Sequence, residues 1–191
     1  LEGDAFHRYN RVEMKKELEK RNTNGGATFS HFSFEANLLQ ELEECFRNYS
    51  EKGKCRYRHY VHNAKEEELY GAKPGNFTEW QQFDDSSDLL FYEGLHGAVV
   101  SENLNIARYA DLKIGVVPVI NLEWIQKIHR DRDSRGYSTE AVTDTILRRM
   151  HAYVHCICPQ FTETDINFQR VPVVDTSNPL VARWIPTADE S

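Results

Sequence analysis

The segment GDAFHRYNRVEMK sets a carboxylate, Asp4, ahead of His7, Arg8, Arg11 and Lys15. In α/β folds, side chains just beyond the carboxyl end of a strand face the ligand crevice. An acid in that position can take the proton of an alcohol, and neighbouring cations can hold an anionic part of the same molecule. His7, Arg11 and Lys15 recur every four residues, a spacing that lines one helical face. The set suits a hydroxyl to be deprotonated on a phosphorylated substrate. The plainer alternative is a solvated basic helix capped by Asp4.

A second group sits in QKIHRDRDSRGYS, residues 126–138. Lys127, Arg130 and Asp131 stand at i, i+3 and i+4 of an expected helix, and Arg135 follows in an expected loop beside Gly136. Guanidinium forks grip phosphate oxygens bidentately and a lysine adds a compact charge. Phosphoryl transfer needs such groups around the moving phosphate. The carboxylates could orient the arginines or help ligate magnesium. The alternative is a surface helix laced with ion pairs. A third candidate is DLLFYEGLHG, where a short apolar strand delivers Glu93 to its end, as the acidic group near Mg-ATP is delivered in P-loop proteins. His96 receives no role.

Weaker candidates complete the survey. Tyr60 and His62 share one face of an expected strand, and a histidine there is more often structural. His151 and His155 are four apart on a helix, but no third zinc ligand is evident. The four cysteines, Cys45, Cys55, Cys156 and Cys158, form no C-x-x-C pair and read as reduced structural thiols of a cytoplasmic protein. The phosphate-cradling loop G-x-x-x-x-G-K-[ST] is absent from the sequence.

These residues need elements to hold them. VEMKKELEKRN reads as a helix stopped by Asn24-Gly25-Gly26. Phe34, Leu38, Leu42, Cys45, Phe46 and Tyr49 form the apolar stripe of a long helix ending near Gly53. CRYRHYVH (55–62) alternates as a strand, Lys73–Asn76 marks a loop, and DLLFYEG (88–94) and LKIGVVPVI (112–120) read as buried strands. Pro118 is a caution within the last of these, since proline prefers strand ends. A helix from Asn121 to about Arg132 follows, and Gly136 breaks it. Ser138 then caps a further helix with Val142, Ile146, Met150 and Tyr153 on its inner face. INFQRVPVVDT and ARWI read as extended. Alternating strands and helices predict an α/β domain with a substantially parallel sheet.

The 191 residues suit one domain, taken as residues 1–191 and as continuing beyond both ends. With 23 Lys+Arg against 30 Asp+Glu, the net charge of −7 argues against non-specific nucleic-acid binding. No apolar run approaches the roughly 18 residues of a membrane span.

At the strings EGDAFHRYNR, ATFSHFSFEAN, PGNFTEWQ, LLFYEGLHGAVV, ADLKIGVVPVINLEWIQKIHRDR, GYSTEAVTDTILRRMHAYVHCICPQF and TDINFQRVPVVDTSNP the chain resembles the bacterial phosphoribulokinases. The resemblance runs through nearly all 191 residues. It implies a P-loop kinase-like three-layer fold with a mixed, largely parallel sheet. It also implies ATP-dependent phosphorylation of the 1-hydroxyl of D-ribulose 5-phosphate, with the nucleotide loop upstream of Leu1. Matched motif by motif, Asp4 would be the general base. His7, Arg11 and Lys15 would bind the sugar phosphate, with Tyr60, His62 and Arg135 as helpers. Glu93 would lie near Mg-ATP, and Asp131 would be a second essential carboxylate on the Mg²⁺ side. Lys127 and Arg130 would stabilise the phosphoryl group from a lid, and Arg149 would belong to the allosteric response. The bacterial members imply NADH as activator, AMP as inhibitor and an octameric homo-oligomer. Two alternatives remain open at this point: a uridine kinase-like enzyme, and a non-catalytic sugar-phosphate-binding domain.

Overall fold

A computed structural model describes residues 1–22, 29–83, 87–169, 171, 174–175 and 183–184. The expected stop at Asn24-Gly25-Gly26 lies outside the described residues. The chain divides into two compact units, Leu1–Lys113 with His151–Thr164, and Ile114–Met150 with Asp165–Ser191.

In the first unit the chain enters extended and turns at once. A 3-10 turn, Gly3–Phe6, ends at His7, whose backbone is extended at φ −63°, ψ 140°. His7 then bridges Asn37 in antiparallel fashion, with Arg8 N donating to Ala36 O and Leu38 N to Phe6 O. Helix α1 (Arg11–Asn22) begins only after Asn10. The Asn10 side chain accepts from Val12 N and Glu13 N, and Glu13 returns a carboxylate to Asn10 N, a reciprocal cap that fixes the start. The expected common helical face of His7, Arg11 and Lys15 is therefore broken between His7 and Arg11.

The long helix is likewise shorter than its apolar stripe. Phe34–Ala36 is a 3-10 turn, Asn37 is extended, and α2 spans Leu39–Lys52. The interruption has a local cause: the Asn37 amide donates to His31 O and Ser33 O, offering the backbone an alternative to helix. Leu39, Leu42, Cys45 and Phe46 are buried on one face of α2, packed with Ala5, Phe6, Cys55, Val99 and Ile106. Gly53, at φ 66°, closes the helix by donating to Tyr49 O.

The expected strand 55–62 forms only in part. β1 (Arg56–Tyr57) pairs antiparallel with β2 (Gln81–Gln82), and α3 (Ala64–Tyr70) lies between them in sequence. Beyond β1 the ladder thins to a Tyr60–Phe77 bridge, because Thr78 Oγ1 takes the His59 N–H. The expected strand 88–94 is reduced, among the described residues, to one parallel bridge between Glu93 and Glu2. Glu93 N donates to Leu1 O and Gly3 N to Glu93 O. This approach needs glycine. A Cβ on Gly94 would stand 2.6 Å from the Gly3 Cα, and Gly3, Gly94 and Gly97 together leave the slot that holds the Tyr92 ring. The hairpin β3 (Val100–Ser101)–β4 (Leu104–Asn105) follows.

The second unit carries the parallel pairing. β5 (Ile114–Val117) runs parallel to β6 (Ile166–Gln169), and the two are joined through helices, the crossover that α/β folds use. Pro118 falls just after β5, where it costs no ladder bond. Helix α4 spans Ile120–Arg135 and closes on Gly136 at φ 69°. Arg135, expected in a loop, is thus the last helical residue, and its side chain lies outside the described residues. The Ser138 hydroxyl accepts from Ala141 N at the head of α5 (Thr139–Ala152). Ile128, Val142 and Ile146 are buried together, with Trp124 and Met150 against them. Tyr153 does not join that face; it belongs to a π turn, Tyr153–Ile157, and its ring meets Phe32 at 5.8 Å. A short pair, β7 (Val174–Asp175) with β8 (Arg183–Trp184), is antiparallel. Among the described residues no helix is long and apolar enough to cross a membrane.

Two glycine substitutions separate close packing from backbone conformation. Gly53→Ala meets open space and only the left-handed penalty, roughly 1–2 kcal/mol. Gly94→Ala must push apart two backbone segments, so it should lower the urea midpoint further, at the upper end of the roughly 1–3 kcal/mol seen for overpacking or beyond. Equal losses would mean that the Gly3–Gly94 approach is not a constraint.

Candidate active site

The site is built on the turn that carries Asp4. Arg58 reaches across from the segment after β1 and donates from Nε to Ala5 O and from Nη2 to His7 O, both at 2.7 Å. Its guanidinium lies 3.7 Å from the Phe77 ring centre and 4.6 Å from that of Trp80. Burial there pulls the Arg58 pKa down to about 10, so it stays charged at neutral pH. Two carbonyls of the turn are thereby fixed by one rigid fork.

Asp4 is held from two sides. His7 Nε2 lies 3.1 Å from Oδ1 and His62 Nε2 lies 3.4 Å from Oδ2. The His7 contact is the largest influence on the carboxyl. It outweighs burial and, with the charges of His7, His62 and His31, holds Asp4 below the ordinary carboxylate range. The Asp4 side chain is still 41% exposed, so a substrate can reach it.

Several expected partners meet here. The Tyr60 ring stands edge-on to both His7, at 6.3 Å, and His62, at 4.8 Å. Arg11 Nη2 donates to His62 O, and Arg11 N to Gly75 O. Gly75, at φ 88°, packs so closely on Arg11 that a Cβ would fall 2.8 Å from the Arg11 Cβ. Lys15 lies one turn further along α1, is 80% exposed and stands 4.0 Å from Glu19. It makes no contact with this cluster among the described residues. Glu93 sits on the segment that runs parallel to Glu2, and its carbonyl accepts from Gly3 N, the residue before Asp4. Its carboxylate is exposed and enters no ion pair or hydrogen bond among the described residues.

Sequence reasoning missed Arg58, Asn37 and His31. Arg58 had a signal, since it alternates with Tyr60 and His62 along 58–62. Asn37 and His31 had none, because nothing in SHFSFEAN marks which polar groups are buried. His96, left without a role, is buried beside Asn37, and its pKa is pulled down to about 4 chiefly by burial.

The second unit holds the other set. Lys127 Nζ and Arg130 Nε each take one oxygen of Asp131, at 2.5 and 3.1 Å. Burial alone would favour the neutral acid, but these two cations outweigh it and keep Asp131 ionised. The donor chemistry of the two proposed metal carboxylates therefore differs. Glu93 is an open carboxylate of the kind that hard divalent cations take. Asp131 has both oxygens occupied by cations and fits a metal only if it releases them. His151 and His155 stack at 4.2 Å with His155 Nδ1 against His151 O, and no metal-ligating group of three is found among the described residues.

An acid just after one extended segment, a second carboxylate on the segment paired with it and a parallel crossover through helices fit an α/β protein of the P-loop kinase kind. The chain belongs to the Phosphoribulokinase / Uridine kinase family, whose model matches residues 1–177. It is similar to phosphoribulokinase 1 of Cereibacter sphaeroides, at 72% identity over all of this chain and 66% of that protein. The phosphoribulokinase of Nitrobacter vulgaris is 68% identical over the same shares. The solved structure of phosphoribulokinase from Rhodobacter spheroides matches with a TM-score of 0.85 at 71% identity, covering 100% of this chain and 66% of that one. The chain thus spans about 66% of the length of these relatives.

His7→Gln should move the Asp4 titration, followed by carboxyl ¹³C NMR, upward toward the ordinary range. The sign follows from the depressed folded-state value: the stabilisation is present above the unfolded pKa and is lost as pH falls through the folded one. The stability gap between wild type and variant should therefore close in that acid window. An Asp4 titration unmoved by the substitution would remove His7 as its cause.

Proposed function

We propose that this chain is part of an ATP-dependent kinase that phosphorylates the 1-hydroxyl of D-ribulose 5-phosphate, giving D-ribulose 1,5-bisphosphate for carbon fixation. The observation that carries this reading is Asp4, ionised, exposed and held in place by His7 and His62 at the end of an extended segment. The named relatives supply the substrate class.

In this reading Asp4 takes the proton of the sugar hydroxyl as its oxygen bonds to the γ-phosphorus of ATP, and the bond to ADP breaks. Arg11, Tyr60, His62, Lys15 and Arg135 bind and orient the sugar phosphate, and His7 holds the acid that meets it. Lys127 and Arg130 place positive charge against the phosphoryl oxygens, where charge accumulates during transfer. Asp131 aims those two cations. Glu93 would hold Mg²⁺, which when bound neutralises phosphate charge. Positioning and charge carry the rate, since the protein has little covalent chemistry to do. Cytoplasmic location, homo-oligomeric assembly up to an octamer, and an NADH response involving Arg149 on α5 belong to the same proposal. His7 and Arg11 beside the acid favour a phosphorylated acceptor over a nucleoside.

In the full-length protein, ADP release should depend on ribulose 5-phosphate and not on uridine. Asp4→Asn should lower kcat by about 10²–10⁴-fold with the KM for ATP nearly unchanged; an unchanged kcat removes Asp4 as base. Asp131→Asn should lower kcat while leaving the half-saturating Mg²⁺ concentration where it was. A large rise in that concentration would make Asp131 a metal ligand instead.

A further inference from the structure

Asn37 is buried to 3% exposure, directly behind His7. Its Nδ2 lies 2.9 Å from His31 O and 2.8 Å from Ser33 O. Two carbonyl oxygens can only accept, so the amide nitrogen must face them and the amide oxygen must face the other way. That oxygen lies 2.8 Å from His7 Nδ1. It too can only accept, so Nδ1 must carry a proton. The far ring nitrogen, Nε2, then faces Asp4 Oδ1 at 3.1 Å. A neutral His7 protonated at Nδ1 would set a lone pair against a carboxylate oxygen, so that contact also requires a proton.

From this chain of donors we infer that Asn37 is a positioning residue, which holds His7 in the Nδ1–H state and so directs its second proton onto Asp4 Oδ1. One oxygen of the acid is then satisfied by His7. The other, Oδ2, is the one left to the substrate hydroxyl, with His62 at its side. His7 acts here as a doubly protonated cation against the acid and not as a base. The remaining neighbours agree with a fixed ring: His31 packs on it with centroids 4.4 Å apart, Tyr60 meets its edge, and Arg58 holds its carbonyl. The orientation of a histidine is set by what its other nitrogen bonds, and loss of such a partner costs function without touching the substrate.

The catalytic consequence rests on the kinase reading, but the proton placement does not. Full-length protein labelled with ¹⁵N-histidine, with the His7 signal identified by its loss in His7→Gln, should show Nδ1 protonated. In Asn37→Leu that signature should disappear, and kcat should fall by about tenfold or more while the KM for ATP stays within about twofold. Asn37→Asp, which keeps an acceptor facing the ring, should retain the Nδ1 proton. A wild-type His7 with Nδ1 unprotonated overturns the inference, whether or not either variant folds. So does a folded Asn37→Leu with unaltered kcat. If the wild-type protein leaves ribulose 5-phosphate untouched, the functional reading falls, and the His7 spectrum still decides the role of Asn37.

Discussion

One guanidinium holds the turn on which the candidate site is built. Arg58 spans from Ala5 O to His7 O while its plane lies against Phe77 and Trp80. A short 3-10 turn has poor internal hydrogen bonding and would not by itself fix a side chain at its second residue. Two charge-assisted bonds from a group with little rotational freedom do so. Asp4 inherits that rigidity, and His7 and His62 then decide which way its two oxygens face. A lysine in place of Arg58 would keep the charge and lose the fork.

The two charge sets solve opposite problems. Around Asp4, two histidine contacts keep an acid ionised while leaving it accessible. Around Asp131, an acid that is only 6% exposed in its side chain keeps two cations parked and separate. A carboxylate buried this deeply is tolerated because it is paired on both oxygens; removal of one partner of such a pair costs about 3–5 kcal/mol in typical cases. The same arrangement explains why QKIHRDRDSRGYS interleaves charges. Like-charged side chains on adjacent turns, here Lys127 and Arg130, need a counter-charge to stay ordered.

Much of this was readable in the sequence. The apolar stripe of α2, the glycine stops at Gly53 and Gly136 and the Ser138 cap all follow from local rules, whereas the buried strand expected over 112–120 forms only at 114–117, with Ile114 and Val116 exposed. Asp4, His7 and Arg11 follow from residue type and spacing, Tyr60 and His62 only from the resemblance, and the structure brings the five together. The failures share a cause. Periodicity counts residues but does not see a side chain taking over a backbone hydrogen bond, as Asn37 does ahead of α2 and Thr78 does beside β1. A helical face was drawn through His7 because the interval of four continued past the point where Asn10 restarts the helix. Burial of Asn37 and His96 depends on contacts between residues far apart in the chain, such as His96 with Asn37, which no local window contains.

The glycines of YEGLHG leave room for a phenol ring. Gly3, Gly94 and Gly97 surround Tyr92 so closely that the two chain segments touch through bare backbone. Contact of that kind permits no slippage. If the segment bearing Glu93 slid by even part of a residue, the Tyr92 ring would strike a main chain with nowhere to yield. The approach of the two chain segments is thus gauged by an aromatic plate wedged in a notch, a mechanical stop that carries no charge and does not respond to pH or salt.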